Sequence, residues 1–221
     1  MFEAIIFDWD ATLADTQAVI VASFQQALKA MDIKISNTYI ERCIGMGAAE
    51  TFREILRLTN QPIDEEGLKR LVENKSQMQI SLNSQVQLFP EALNFLETLK
   101  DKKTKIGLAS MNSQKVISSL VKAKGVEHYF QAIITAEAVK YSKPHPEIFL
   151  KCAKQLNASP TKCVVIEDSL FGVKAAKAAG MHCIAVTTGV YSKEELEHEN
   201  PDVVVANLAQ AKVYLQTRHT L

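Results

Sequence analysis

The residues best equipped for chemistry in this 221-residue chain are spread across its length. Asp8, Asp10 and Thr12 stand at alternate positions in FDWDATLADT, and Ser110 and Asn112 follow in LASMN. Lys143 lies in YSKPHPEIF, and Glu167 and Asp168 lie in VIEDS. Singly, each has an ordinary structural explanation. An aspartate at a strand end forms turns or caps helices, Ser110 reads as a cap, and Lys143 reads as a surface charge. As a set they are less ordinary. Carboxylates crowded at one place repel and need a cation. Oxygen donors with no imidazole or thiol pattern beside them suit Mg²⁺ better than zinc. A hydroxyl and a lysine at the same place would suit phosphoryl chemistry.

That reading requires elements that deliver all these residues to one edge. EAIIFDW (3–9) reads as a strand buried on both faces, ending in Asp8 and Asp10. TKIGLAS (104–110), QAIITA (131–136) and KCVVIED (162–168) read as further strands, and HCIAVTT and DVVVA complete the series. Helical spacing of apolar residues separates them, as in Gln114 to Lys124, PEIFLKCAKQL and GVKAAKAAG. Short β-branched strands alternating with helices predict an α/β fold, a doubly wound parallel sheet of Rossmann-like type. In such a sheet, sites form at the carboxyl ends of the strands. Between 16 and 84 the apolar spacing is helical throughout, at about 16–31, 36–43, 48–59 and 64–82. This predicts an α-helical cap over 16–84 inserted into a core made of 1–15 and 85–221.

Composition narrows the partners. Lys+Arg and Asp+Glu are equal at 25 each, so there is no basic excess of the kind that nucleic-acid binding needs. No apolar stretch approaches a membrane span and the chain opens on MFEAIIFDWD with no secretory pattern, which predicts a cytoplasmic protein. Cys43, Cys152, Cys163 and Cys183 are widely spaced and read as buried apolar side chains. Trp9 reads as a core residue, and a monomer is expected.

At these residues the chain resembles the haloacid dehalogenase superfamily. The first motif of that family, D-x-D-x-T, stands as Asp8-Trp9-Asp10-Ala11-Thr12, the second as LAS with Ser110, the third as Lys143 in SKPHPEIF, and the fourth as the acid pair of VIEDSLFGVKAAKAAGM. The resemblance implies a Mg²⁺-dependent phosphatase for a small phosphorylated metabolite, acting through an aspartyl-phosphate on Asp8. It implies Asp10 as general acid and base, and Ser110 and Lys143 as holders of the phosphoryl oxygens. Metal contacts would come from Asp8, Asp10 (through its carbonyl), Asp168 and, in the outer shell, Glu167. Substrate contacts are expected at Thr12, Met111, Asn112 and Met46. Ala11 departs from the glycine that many relatives carry, with a modest effect expected. Cap hinges are expected near Asp15-Thr16 and Gln85–Phe89.

Asp10 and Asp168 speak against the dehalogenase and phosphonate-cleaving branches. The positions where β-phosphoglucomutase-type mutases carry a histidine and cations are Ile20, Ile44 and Ala48, which favours plain hydrolysis. Arg42 and Arg53 read as surface charges. The segment around Lys143 and Asp168 looks most like sugar and sugar-alcohol phosphatases, including the 2-deoxyglucose-6-phosphate type. A mutase, a phosphoglycolate-type phosphatase and a non-catalytic phosphate-binding relic are the alternatives.

Overall fold

The computed structural model describes residues 2–217. Six parallel strands form its sheet: β1 (Ala4–Phe7), β4 (Lys105–Ala109), β5 (Ala132–Ile134), β6 (Cys163–Glu167), β7 (His182–Val186) and β8 (Val203–Val205), in the order β5-β4-β1-β6-β7-β8. The chain fills one side of β1 with β4 and β5, then crosses to the other side for β6, so the strand order reverses around β1. Side chains alternate across this buried strand. Ile5 and Phe7, with Trp9 just beyond, enter the apolar cluster on one face, and Ala4 and Ile6 enter the cluster on the other. Helices cover both faces: α5 (Ala92–Asp101), α6 (Gln114–Ala123), α7 (Glu147–Gln155), α8 (Leu170–Ala178), α9 (Lys193–Glu197) and α10 (Leu208–Thr217). Serines at two strand-to-helix turns explain where α6 and α8 begin. Ser113 accepts the Val116 amide and Ser169 accepts the Gly172 amide, each satisfying an amide that the first helical turn leaves free.

The inserted segment is helical: α1 (Gln17–Lys29), α2 (Asn37–Cys43), α3 (Ala48–Leu58) and α4 (Glu65–Ser81). These helices bury a cluster of their own, with Ile20, Phe24, Leu28, Ile40, Phe52, Ile55 and Leu71 among its members. Two very short strands, β2 (Ala14–Asp15) and β3 (Gln87–Leu88), pair antiparallel where the chain enters and leaves the helical segment. Sequence periodicity gives no sign of them, because two residues carry no alternation. All four cysteines are buried and free. Among the described residues, no helix is long and apolar enough to cross a membrane.

Ala11 lies in the tight turn between β1 and β2 with φ 53. The amides of Leu13 and Ala14 both donate to the carbonyl of Trp9 there, and the Ala11 amide donates to Ala14 at 2.8 Å. A left-handed residue other than glycine costs about 1–2 kcal/mol. Against that, glycine would lose a buried methyl worth ~0.8 kcal/mol and pay ~0.5–1 kcal/mol in chain entropy. The terms nearly cancel, so Ala11→Gly is expected to shift unfolding stability by less than about 1 kcal/mol. Urea denaturation at neutral pH checks this, and a larger change in either direction would show that the turn is not limited by this residue.

Candidate active site

Register explains why the polar residues meet. Phe7 at the end of β1 pairs with Leu108 of β4 and Ile166 of β6. The residues that follow on these three strands, Asp8, Ser110 and the pair Glu167-Asp168, therefore leave the sheet at the same edge. Lys143 arrives from the loop before α7. Its buried Nζ donates to Asp8 Oδ1 at 2.6 Å, to Glu167 Oε1 at 2.5 Å and to the carbonyl of Ala109 at 3.3 Å. Glu167 Oε2 accepts the amides of Asp168 and Ser169, both at 2.9 Å, and the Ser169 hydroxyl at 3.0 Å. Both oxygens of Glu167 are thus engaged by protein donors, which ties Lys143 to the start of α8.

Asp10 is held from two sides. Its Oδ1 accepts the Thr16 hydroxyl at 2.8 Å, while Oδ2 accepts Asn112 Nδ2 at 2.6 Å and the Ser110 hydroxyl at 3.4 Å. Thr12 donates to Asp168 Oδ1 at 3.2 Å. It is fully buried, orients that carboxylate and is not among the residues that line the cavity above Asp8. Met111 and Asn112 do line the cavity. Met46 does not: the wall there is made by its neighbours Gly45 and Gly47. These glycines have φ of 99° and 112° and lie against the core loops. A Cβ on Gly45 would meet Ser169 Oγ at 2.5 Å, and one on Gly47 would meet Met111 and Ser142 at 3.3 Å. A side chain at Gly45 would press the helical segment away from Ser169, whereas one at Gly47 would need its neighbours to give by a few tenths of an ångström.

Lys75 was not foreseen. It sits among polar neighbours in EEGLKRLVENKSQMQIS, and nothing in that pattern separates it from solvated lysines. In the structure it is buried, donates to Asn112 Oδ1 at 3.1 Å and to Gln79 Oε1, and lies 5.2 Å from the centre of the Phe24 ring. It thus brings a positive charge from α4 to the cavity that Asp8 and Asp10 line. Burial pulls its ammonium down to about 8, with the Asp10 carboxylate opposing that fall. Below about pH 8 the charge is present, and above it the charge is lost. The reaction rate at low substrate is therefore expected to decline above about pH 8, and this alkaline limb should be absent in Lys75→Met. A limb that survives in the variant assigns the titration elsewhere.

The same burial acts on the acids. Asp8 is pushed well above the usual carboxylate range by burial, a rise that Lys143 opposes and that Glu167 and Asp10 reinforce. Burial also raises Asp10, against the pull of the Thr16 hydroxyl and of Lys75 and Lys143. Asp168 is raised by burial and by its neighbours Glu167 and Asp8. A cation beside Asp8 and Asp168 would relieve this repulsion. Among the described residues, no group of three or more His, Cys, Asp or Glu closes a cage. Two carboxylates and one backbone carbonyl, with positions left to water and phosphate, fit a Mg²⁺ ion, which dehydrates reluctantly. Gly189 leaves room on the far side of Asp168, where any Cβ would collide with Oδ2.

The family model described as haloacid dehalogenase-like hydrolase matches residues 5–186. The chain belongs to this family. It is 31% identical over 183 residues to a phosphorylated carbohydrates phosphatase of Thermotoga maritima, covering 82% of this chain and 83% of that one. It is 28% identical over 188 residues to the fructose-1-phosphate phosphatase YqaB of Escherichia coli, covering 84% of this chain and 96% of that one. Its fold is similar to that of a crystallised β-phosphoglucomutase from Clostridium difficile, with a TM-score of 0.89 and 31% identity across 99% of this chain and 97% of that one. In this haloacid dehalogenase-like chain, then, all four family motifs converge on the cavity or on the residues directly beneath it.

Proposed function

We propose that this chain is a Mg²⁺-dependent phosphatase acting on a small sugar or sugar-alcohol monophosphate through an aspartyl-phosphate on Asp8. The class, phosphoric monoester hydrolase, comes with the family and its named relatives. The observation that carries the finer reading is the pairing of Asp8 with Asp10 under a roof of Ile20, Phe24 and Ile44. Lys75 is the one cation among the residues lining that cavity, and it is already donating to Asn112 and Gln79. A mutase must hold a second phosphate at this place, and the wall offers apolar side chains in its stead.

In the first step Asp8 Oδ attacks phosphorus and the bond to the leaving oxygen breaks. Asp10, whose carboxyl is raised by burial, gives a proton to the leaving oxygen. In the second step the Asp10 carboxylate takes a proton from water as the water oxygen attacks phosphorus, and Asp8 is released with inorganic phosphate. Thr16, Ser110 and Asn112 keep Asp10 aimed through both steps. Lys143 holds Asp8 in place and supplies positive charge beside the phosphoryl oxygens. Asp8, Asp168 and the Asp10 carbonyl would hold Mg²⁺, which when bound offsets the repulsion between the anionic nucleophile and the anionic phosphate.

Beyond the cavity over Asp8 lies a second of about 220 Å³, sharing Gly47, Ala48, Lys75, Met111 and Asn112 with the first. Serines 76, 113 and 142, with Glu50 and Glu137, give it hydroxyls and acceptors suited to a polyhydroxyl leaving group. Phosphate release from sugar, sugar-alcohol, short-acid phosphates and pyrophosphate, measured with Mg²⁺ and with EDTA, tests the proposal. Mg²⁺-dependent release that favours the sugar and polyol esters is expected. Isomerisation of a sugar monophosphate on addition of a bisphosphate, without net release, would mean a mutase. No turnover in a folded sample would mean that the substrate lies outside this panel or that the site is only a binding relic.

A further inference from the structure

The cavity over Asp8 has a volume of only about 30 Å³. The helical segment therefore lies close over Asp8 in this structure, and seating a phosphoester against Asp8 requires that segment to move. Most of the contacts that hold it down use residues of the site or their neighbours: Gly45 on Ser169, Gly47 on Met111 and Ser142, and Lys75 on Asn112. Glu73 and Lys115 add an ion pair at 2.9 Å, exposed on both sides and so worth little. One contact is different in kind.

Arg42, in the last turn of α2, reaches across to the segment that follows β7. Its Nη2 donates to Glu195 Oε1 at 2.6 Å in an ion pair that is itself exposed on both sides, and what sets the contact apart is the Tyr191 ring, whose centre lies 4.8 Å from the guanidinium carbon. The Tyr191 hydroxyl donates to the backbone carbonyl of Arg42 at 2.5 Å. The receiving side is fixed in advance. Tyr191 is only 5% exposed and packs in the core cluster with Leu196. Glu195 Oε2 accepts the Ser192 amide within the capping box of α9. The same segment is tied to the site from below, since Thr188 donates to the carbonyl of Ala11 and Gly189 packs against Asp168.

We infer that Arg42, Tyr191 and Glu195 form a latch that holds the helical segment closed over bound phosphoester, with Tyr191 as its positioning residue. Only Arg42 is ordered when the latch engages, because its partners are already in place, and this makes closing cheap. The ring and the carboxylate act on the Arg42 side chain and the hydroxyl on its backbone carbonyl, so the three contacts meet on one residue. None of the three residues lines the cavity over Asp8, so the latch sets the closed population and leaves the chemistry within the closed complex alone. This inference rests on the phosphatase reading for its kinetic consequences and on geometry alone for its structural one.

Two measurements test it. Tyr191→Phe removes only the hydroxyl, and Arg42→Ala removes an exposed side chain, so both should fold. With the best substrate of the panel, KM is expected to rise about threefold in Tyr191→Phe and about tenfold in Arg42→Ala, with kcat within about twofold of the parent. Arg42→Lys, which restores charge without the planar group, should recover only part of the loss. The second measurement needs no substrate. Spin labels on Leu58→Cys of α3 and Leu150→Cys of α7, both exposed positions in a chain whose own cysteines are buried, report the separation of the two parts. The parent is expected to show one short distance, and the Arg42→Ala/Tyr191→Phe double variant a second, longer one. An unchanged distance distribution overturns the latch even if KM rises, as does a fall in kcat at constant KM. If the parent turns over nothing, the phosphatase reading has failed and the distance measurement still decides the latch.

Discussion

Asp8→Asn is expected to abolish phosphate release, lowering kcat by at least about 10⁴-fold, while leaving the protein folded. The amide keeps the size of the carboxylate but cannot act as the nucleophile. Stability is expected to hold or improve. Asp8 is buried with Glu167, Asp10 and Asp168 close enough to raise one another, and removing one charge from this group relieves repulsion. Lys143 retains Glu167 at 2.5 Å. Steady-state phosphate release and thermal unfolding, run on the same preparation, separate the two effects. A variant that is both inactive and unfolded would leave the chemical role of Asp8 unproven.

Lys143→Met is expected to do the opposite to stability. Lys143 is fully buried, and the Asp8 and Glu167 carboxylates outweigh the effect of burial to hold it charged well above the ordinary lysine range. Its loss leaves both acids without their cation, and breaking a buried pair from one side costs about 3–5 kcal/mol. The sign of the pH dependence follows from the acids left behind. Burial holds Asp8 well above the usual carboxylate range, and its protonated form does not need the lysine, so the cost shrinks as pH falls and Asp8 takes up its proton. Activity should fall with it, by at least about 10²-fold, because Asp8 is no longer held and the phosphoryl oxygens lose a charge. Urea unfolding at pH 7 and pH 5 reads the first effect. Equal destabilisation at both values would mean that lost packing, and not lost charge, is responsible.

Asp8 is legible in the sequence because its surroundings are. A strand buried on both faces must end somewhere, and AIIF followed by Asp-Trp-Asp marks where β1 leaves the apolar layer. The same logic reads Ser110 after β4 and Glu167-Asp168 at the end of β6. Lys143 needed the resemblance, since a lysine in a loop carries no periodic signal. What stayed hidden depends on contacts between segments distant in the chain. Lys75 looks like its solvated neighbours until α4 packs over Asn112. Thr12 and Met46 are adjacent to the right places, yet one donates to Asp168 and neither is among the residues of the cavity wall. Arg42 and Arg53 look alike on paper. Arg53 pairs locally with Glu50 and Glu65, whereas Arg42 crosses to Glu195, and only the packing of α2 against the loop after β7 distinguishes them.

The central claim is that phosphorus becomes covalently attached to Asp8. Rapid mixing with the best substrate and Mg²⁺, acid quench and peptide mapping by mass spectrometry tests it most directly. One phosphoryl group on the peptide that contains Asp8, present during turnover and absent from Asp8→Asn, is the predicted result. Turnover with that peptide unmodified at every quench time, or with the phosphoryl group on another residue, would contradict it.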